Sequence, residues 1–136
     1  MSFQWLEMRI QEEQDRRERE AQIRARLPEA LQELFQVLTA CVASYTAAFG
    51  PDSADISMLR SKIRILVRDP EAHVEITADP ALPGFRVTRG DHPALAIVVG
   101  LLPGDRLFYR DEEQYITIEE LSRRILDRAM FPKLAE

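Results

Sequence analysis

Cysteine is almost missing from this chain, with Cys41 alone in 136 residues. A single thiol excludes an intramolecular disulfide framework and any zinc centre built on several cysteines, and it fits a reducing compartment. Histidine is nearly as scarce, with only His73 and His92. Neither has a carboxylate or cysteine at metal-ligand spacing, so surface or turn positions are expected for both. Five glycines in all leave little material for a phosphate-cradling loop, a dinucleotide fingerprint or a serine elbow, and none occurs. The motifs therefore imply no metal, no cofactor and no catalytic residue, while a site assembled from distant strands would leave no linear signature.

Long apolar runs are absent too. No stretch reaches the roughly 18 residues that suggest a membrane span. The opening Ser2-Phe3-Gln4-Trp5-Leu6 meets Glu7 and Arg9 too early for the apolar run of a signal peptide. Lysine and arginine number 18 against 23 acidic residues, a net charge of −5 that opposes broad binding to nucleic acid or anionic membranes. A cytoplasmic protein with neither partner is the expectation.

What the chain does have is enough apolar material, 46% of residues, for one unstapled core. Residues 2–27 contain no helix breaker and are rich in Glu, Arg, Gln and Ala, so they read as helix. Glu12/Arg16, Glu13/Arg17, Asp15/Arg19 and Glu20/Arg24 set acid before base at a spacing of four, which supports a helix that stays largely solvated. Pro28 is expected to bend or break it. Beyond that point Leu31, Leu34, Phe35, Leu38, Cys41, Val42, Tyr45 and Phe49 form a stripe that must face a core, with Cys41 packing there like an alanine. Gly50-Pro51 ends it.

The period then changes to two. Ile63, Ile65 and Val67, then Val74, Ile76 and Ala78, then Phe85 and Val87 alternate with polar residues as in strands with one buried face. Ala94–Leu102 is apolar except at Gly100 and is expected centrally, with Arg106–Arg110 and Tyr115-Ile116 completing the sheet. The connections, such as Asp69-Pro70, Gly90-Asp91-His92-Pro93 and Pro103-Gly104-Asp105, are too short for crossovers, so neighbours pair antiparallel. Asp111-Glu112-Glu113 reads as a hairpin turn rather than a calcium loop. Thr117-Ile118-Glu119-Glu120 is a capping box that starts a last helix carrying Leu121, Ile125, Leu126 and Ala129. The expected fold is α+β, a two-layer sandwich of a long N-terminal helix bent or broken near Pro28, an antiparallel meander of five or six strands, and a C-terminal helix. Residues 1–27 form a projecting charged arm in this reading, and residues 28–136 the domain.

A helix from Phe3 to Phe49 would extend about 70 Å, whereas a domain of this size is about 35 Å across. Its first turns concentrate Phe3, Trp5, Leu6, Met8 and Ile10, a group whose joint exposure is unusual in a stable monomer. Counted in heptads, an antiparallel pair of such helices matches Phe3 with Leu34, Leu6 with Leu31 and Ile10 with Leu27, and sets Glu13 against Arg24 and Arg17 against Glu20. The expectation is a homodimer through the N-terminal helix, with Phe3, Trp5, Leu6, Ile10, Leu27, Leu31 and Leu34 as its contacts. The function expected is a non-enzymatic interaction, adaptor or chaperone-like module. The alternative is a small-molecule-binding protein or enzyme with a pocket between sheet and helices, using Arg64, Arg86 or His73. By parity Arg60, Lys62, Arg64 and Arg86 gather on one sheet face as an anion patch, although pairing with Glu75 explains the same charges more simply.

Overall fold

The helix propensity of the first fifty residues is realised without interruption. In the computed structural model, which describes residues 2–90 and 92–134, α1 runs unbroken from Gln4 to Phe49. Met1, residues 135–136, and Asp91 of the turn expected at Gly90–Pro93 lie outside the described residues. The 46 residues of α1 span about 69 Å at 1.5 Å each.

Pro28 lies inside α1 and does not end it. Proline lacks the N–H that would bond the carbonyl four residues back, which here belongs to Arg24. The helix continues because Leu27, Ala30 and Leu31, on both sides of that gap, are buried under the sheet. Ending the helix there would lift one of them from the core, and burial of such side chains outweighs one lost backbone bond.

Gly50 leaves the helix at φ 111°, and seven strands follow in a meander. They are β1 (Ala54–Leu59), β2 (Lys62–Arg68), β3 (Glu71–Asp79), β4 (Gly84–Arg89), β5 (His92–Leu102), β6 (Arg106–Asp111) and β7 (Gln114–Ile116). Every neighbouring pair is antiparallel, and spatial order equals chain order. The strand beyond the expected five or six is β1, where Ala54, Ile56 and Met58 face inward and pair with Val67, Ile65 and Ile63.

The register sets Ile63 opposite Ile76, Ile65 opposite Val74, Ile76 opposite Val87, and Phe85 opposite Ile97. These residues are all buried. The second helix, α2 (Ile118–Met130), packs on the same face as α1. Thr117 caps it, its hydroxyl accepting the Glu120 backbone N–H at 3.1 Å. Leu121, Ile125 and Leu126 of α2 join Leu27, Leu31, Leu34, Leu38 and Val42 of α1 in one core, giving two layers.

Two arginines of α1 hold the turns at one end of the sheet. The Arg24 Nε donates to the Pro80 carbonyl between β3 and β4 at 2.9 Å. The Arg26 guanidinium donates to the Asp105 carbonyl between β5 and β6 and pairs with Glu29. The helix thus leaves the sheet between these turns, and Ile23 is the first buried residue along it.

One core side chain carries a measurable pH signature. Tyr109 stacks on Phe85 at 6.3 Å, and its hydroxyl is buried without a partner among the described residues. Burial pushes its pKa up from the ordinary 10.0 to about 12. The unfolded chain releases this proton first, so the stabilisation is complete below pH 10 and drains away as pH rises through 12. Ultraviolet titration should find one of the three tyrosines ionising late, and Tyr109→Phe should remove that step without lowering stability at pH 7.

Candidate functional site

The first turns of α1 are held as helix by their own charges. Glu13 binds Arg16 at 2.6 Å and Arg17 at 3.1 Å, and Glu20 binds Arg16 at 2.7 Å and Arg24 at 3.1 Å. Of the four expected pairs, Glu13/Arg17 and Glu20/Arg24 form. Arg9 takes Glu12 instead at 2.9 Å, and Asp15 accepts from Gln11. Hydrogen bonds from Arg16 and Arg17 hold the Glu13 carboxyl at about 2, well below the usual carboxylate range.

The tip that this ladder supports is bare. Trp5 is 67% exposed, Met8 59%, Phe3 53%, Ile10 49% and Leu6 41%. At 100° per residue Leu6 and Ile10 share one face, with Phe3 continuing it, whereas Trp5 and Met8 point the other way.

Leu27, Leu31 and Leu34, the other half of the expected helix contact, are placed differently. All three are buried beneath their own sheet. They cannot also receive Ile10, Leu6 and Phe3 of a second chain, so the register matching those residues is closed while the domain is folded. A core stripe and a coiled-coil seam have the same spacing, and here Leu27, Leu31 and Leu34 belong to the core stripe.

The other end of α1 has an opening of its own. Between α1 and α2 lies a groove of about 400 Å³ with Tyr45 and Phe49 on one wall and Leu126, Met130 and Phe131 on the other. The Phe49 ring lies 4.8 Å from Tyr45 and 6.4 Å from Phe131 by centroid, and Phe49 is 62% exposed. Cys41 lines this groove half-buried, more open than the alanine-like core site expected of it.

The expected basic patch is divided. Lys62 and Arg64 both reach Glu75, at 3.6 and 3.3 Å, and Arg86 pairs with Asp79. Arg60 is not on the strand face. It stands with Ser61 in the two-residue turn between β1 and β2, at φ 52° and 62°. Arg60, Lys62 and Arg64 line one shallow hollow, from which Arg86 is absent.

A further polar region was not anticipated. Arg89 is half-buried where β4 meets α2, donating to the Pro93 carbonyl at 2.8 Å and the Arg124 carbonyl at 3.3 Å. The sequence did carry a signal for it: Arg89 shares parity with the buried Phe85 and Val87, so a charge stands where alternation calls for an inward residue. His73, 3.9 Å from Glu71, and His92 lie in the same cleft. Among the described residues no three His, Cys, Asp or Glu side chains converge as a metal site requires, and no helix is long and apolar enough to cross a membrane. The chain matches no family model, no curated protein and no solved structure.

Proposed function

We propose that this chain works as a non-enzymatic, homodimeric interaction module in which the N-terminal tip of one copy lies in the α1–α2 groove of the other. The observation that carries this reading is a bare apolar tip at one end of an unbroken helix and, at its other end, an apolar groove against α2 whose rim residues Phe49 and Phe131 are exposed. Ile10 and Cys41 are about 46 Å apart along that rod, so no chain can fill its own groove with its own tip. Two copies laid antiparallel fill both grooves at once, in a closed two-fold arrangement where each contact occurs twice.

The ion-paired segment between tip and groove suits this role. Its carboxylates and guanidinia satisfy each other within one helix, so it stays stiff in water and sets the reach of the tip. Such a dimer leaves the sheet edges β1 and β7 unpaired, which is the surface an adaptor or chaperone-like module offers to an extended segment of a client. Light scattering tests the association. The full chain is expected to have the mass of a dimer at micromolar concentration, and a chain lacking residues 1–12 that of a monomer. A monomeric full-length chain would overturn the reading.

A further inference from the structure

The cleft around Arg89 collects positive charge that no direct ion pair among the described residues offsets. Arg128, one turn beyond Arg124 on α2, lines it together with Arg89, His73 and His92. The one carboxylate among its described lining residues, Glu71, is largely exposed and turned to His73. Neither guanidinium has an ion pair among the described residues. Arg89 spends two of its five N–H donors on carbonyls, and its Nε is buried without a partner among the described residues. Burial and the charge of Arg128 push the Arg89 pKa down, and the Asp111 carboxylate offsets part of that.

Arg124, next along α2, shows what a compensated arginine looks like in this fold. Its guanidinium meets Asp111 at 2.7 Å, Gln114 at 2.8 Å and Glu120 at 3.5 Å. Arg89 and Arg128 share one cleft without a direct ion pair among the described residues, while Asp111, Glu120 and Asp127 line an adjoining hollow that includes the same two arginines. A bound anion would offset the repulsion between the two cations. The cleft measures about 490 Å³, within the usual range for small-molecule sites. Ala72, Val74 and Ala129 give it an apolar wall beside the charges.

We infer that this cleft binds a small molecule bearing a phosphate group, with Arg89 and Arg128 gripping the phosphate and the apolar wall receiving the rest. A guanidinium fork matches phosphate oxygens in pairs, which Arg128 can offer, and Arg89 keeps one further N–H on each terminal nitrogen, so the two cations together favour a dianion over a single carboxylate. The site is separate from the tip and the α1–α2 groove, so it stands whatever the oligomeric state.

Inorganic phosphate titrated into the full chain at constant ionic strength, followed by calorimetry or amide chemical shifts, tests this directly. Saturable binding is expected, with acetate and chloride giving no saturable response. Arg128→Gln, an exposed change that leaves the core intact, should weaken phosphate at least 10-fold. Glu71→Gln should tighten it, and Arg17→Gln on the arm should leave it unchanged. A response that chloride or acetate reproduces, or an R128Q chain that binds phosphate as the native chain does, would overturn the inference.

Discussion

In the proposed dimer, a chain carrying Leu6→Asp and Ile10→Asp together should sediment as a monomer at concentrations where the native chain is expected to be dimeric. Fully burying a leucine or isoleucine side chain is worth about 1.5–3 kcal/mol, and a two-fold dimer contains each residue twice. Leu6 and Ile10 are already about half covered by their own helix, at 41% and 49% exposure. The loss is therefore about 3–6 kcal/mol for the pair of tips, or roughly 100- to 10,000-fold in dissociation constant. The desolvation of aspartate adds to this. Because both positions are exposed and precede the first core residue, Ile23, the domain itself should unfold at its native temperature. Phe49→Asp, at the other end of the same helix, should weaken association to a similar degree. Combining it with the tip changes should cost less than the two effects added, since both remove one contact.

The largest loss of stability from a single methyl group is expected at Gly84→Ala. Gly84 opens β4, is buried, and pairs with Val98 of β5. A Cβ at this position would stand 1.8 Å from the Ile97 carbonyl oxygen and 2.9 Å from its carbon. Those atoms belong to a backbone held in the middle of the sheet, so relief requires β4 and β5 to move apart next to Phe85 and Ile97, both fully buried. A loss of about 3 kcal/mol or more is expected in urea denaturation, at the upper end for overpacking. Gly100→Ala provides the contrast. There the obstruction is the Phe108 ring, 2.0 Å away, on the half-open outer face. A half-buried side chain can swing aside about χ1 where a carbonyl cannot, so G100A should cost clearly less. Equal stability of G84A and the native chain would contradict this account of β4–β5 packing.

How far these features could be read from the sequence depends on whether the physics that makes them is local. The strands β2 to β4 were legible because their apolar residues recur at every second position, Ile63, Ile65 and Val67, then Val74, Ile76 and Ala78, then Phe85 and Val87. The capping box at Thr117 was legible because its partners are three residues apart. The strand β1 escaped although Ala54, Ile56 and Met58 alternate, because its hairpin turn is Arg60-Ser61 rather than a glycine or asparagine pair. Which of the two alternatives at Pro28 holds, a bend or a break, was not legible, since continuity rests on burial against a sheet thirty or more residues later. The apolar tip showed in composition alone. Its proposed receiver did not, because the groove joins Cys41–Phe49 to Ser122–Phe131 and exists only once α1 and α2 are packed. Heptad spacing pointed to Leu27, Leu31 and Leu34 instead, which the sheet already covers.

The proposed antiparallel exchange of tips can be tested covalently, because the lone cysteine of the chain already lines the groove. Glu7 is exposed and lies next to the Leu6/Ile10 face, and about 51 Å of unbroken helix separates it from Cys41 of its own chain. Under mild oxidation, Glu7→Cys should yield a dimer whose disulfides join residue 7 of one copy to Cys41 of the other, and Cys41→Ala should abolish them. Links only between the two introduced cysteines, or no linked species at all, would contradict the exchange.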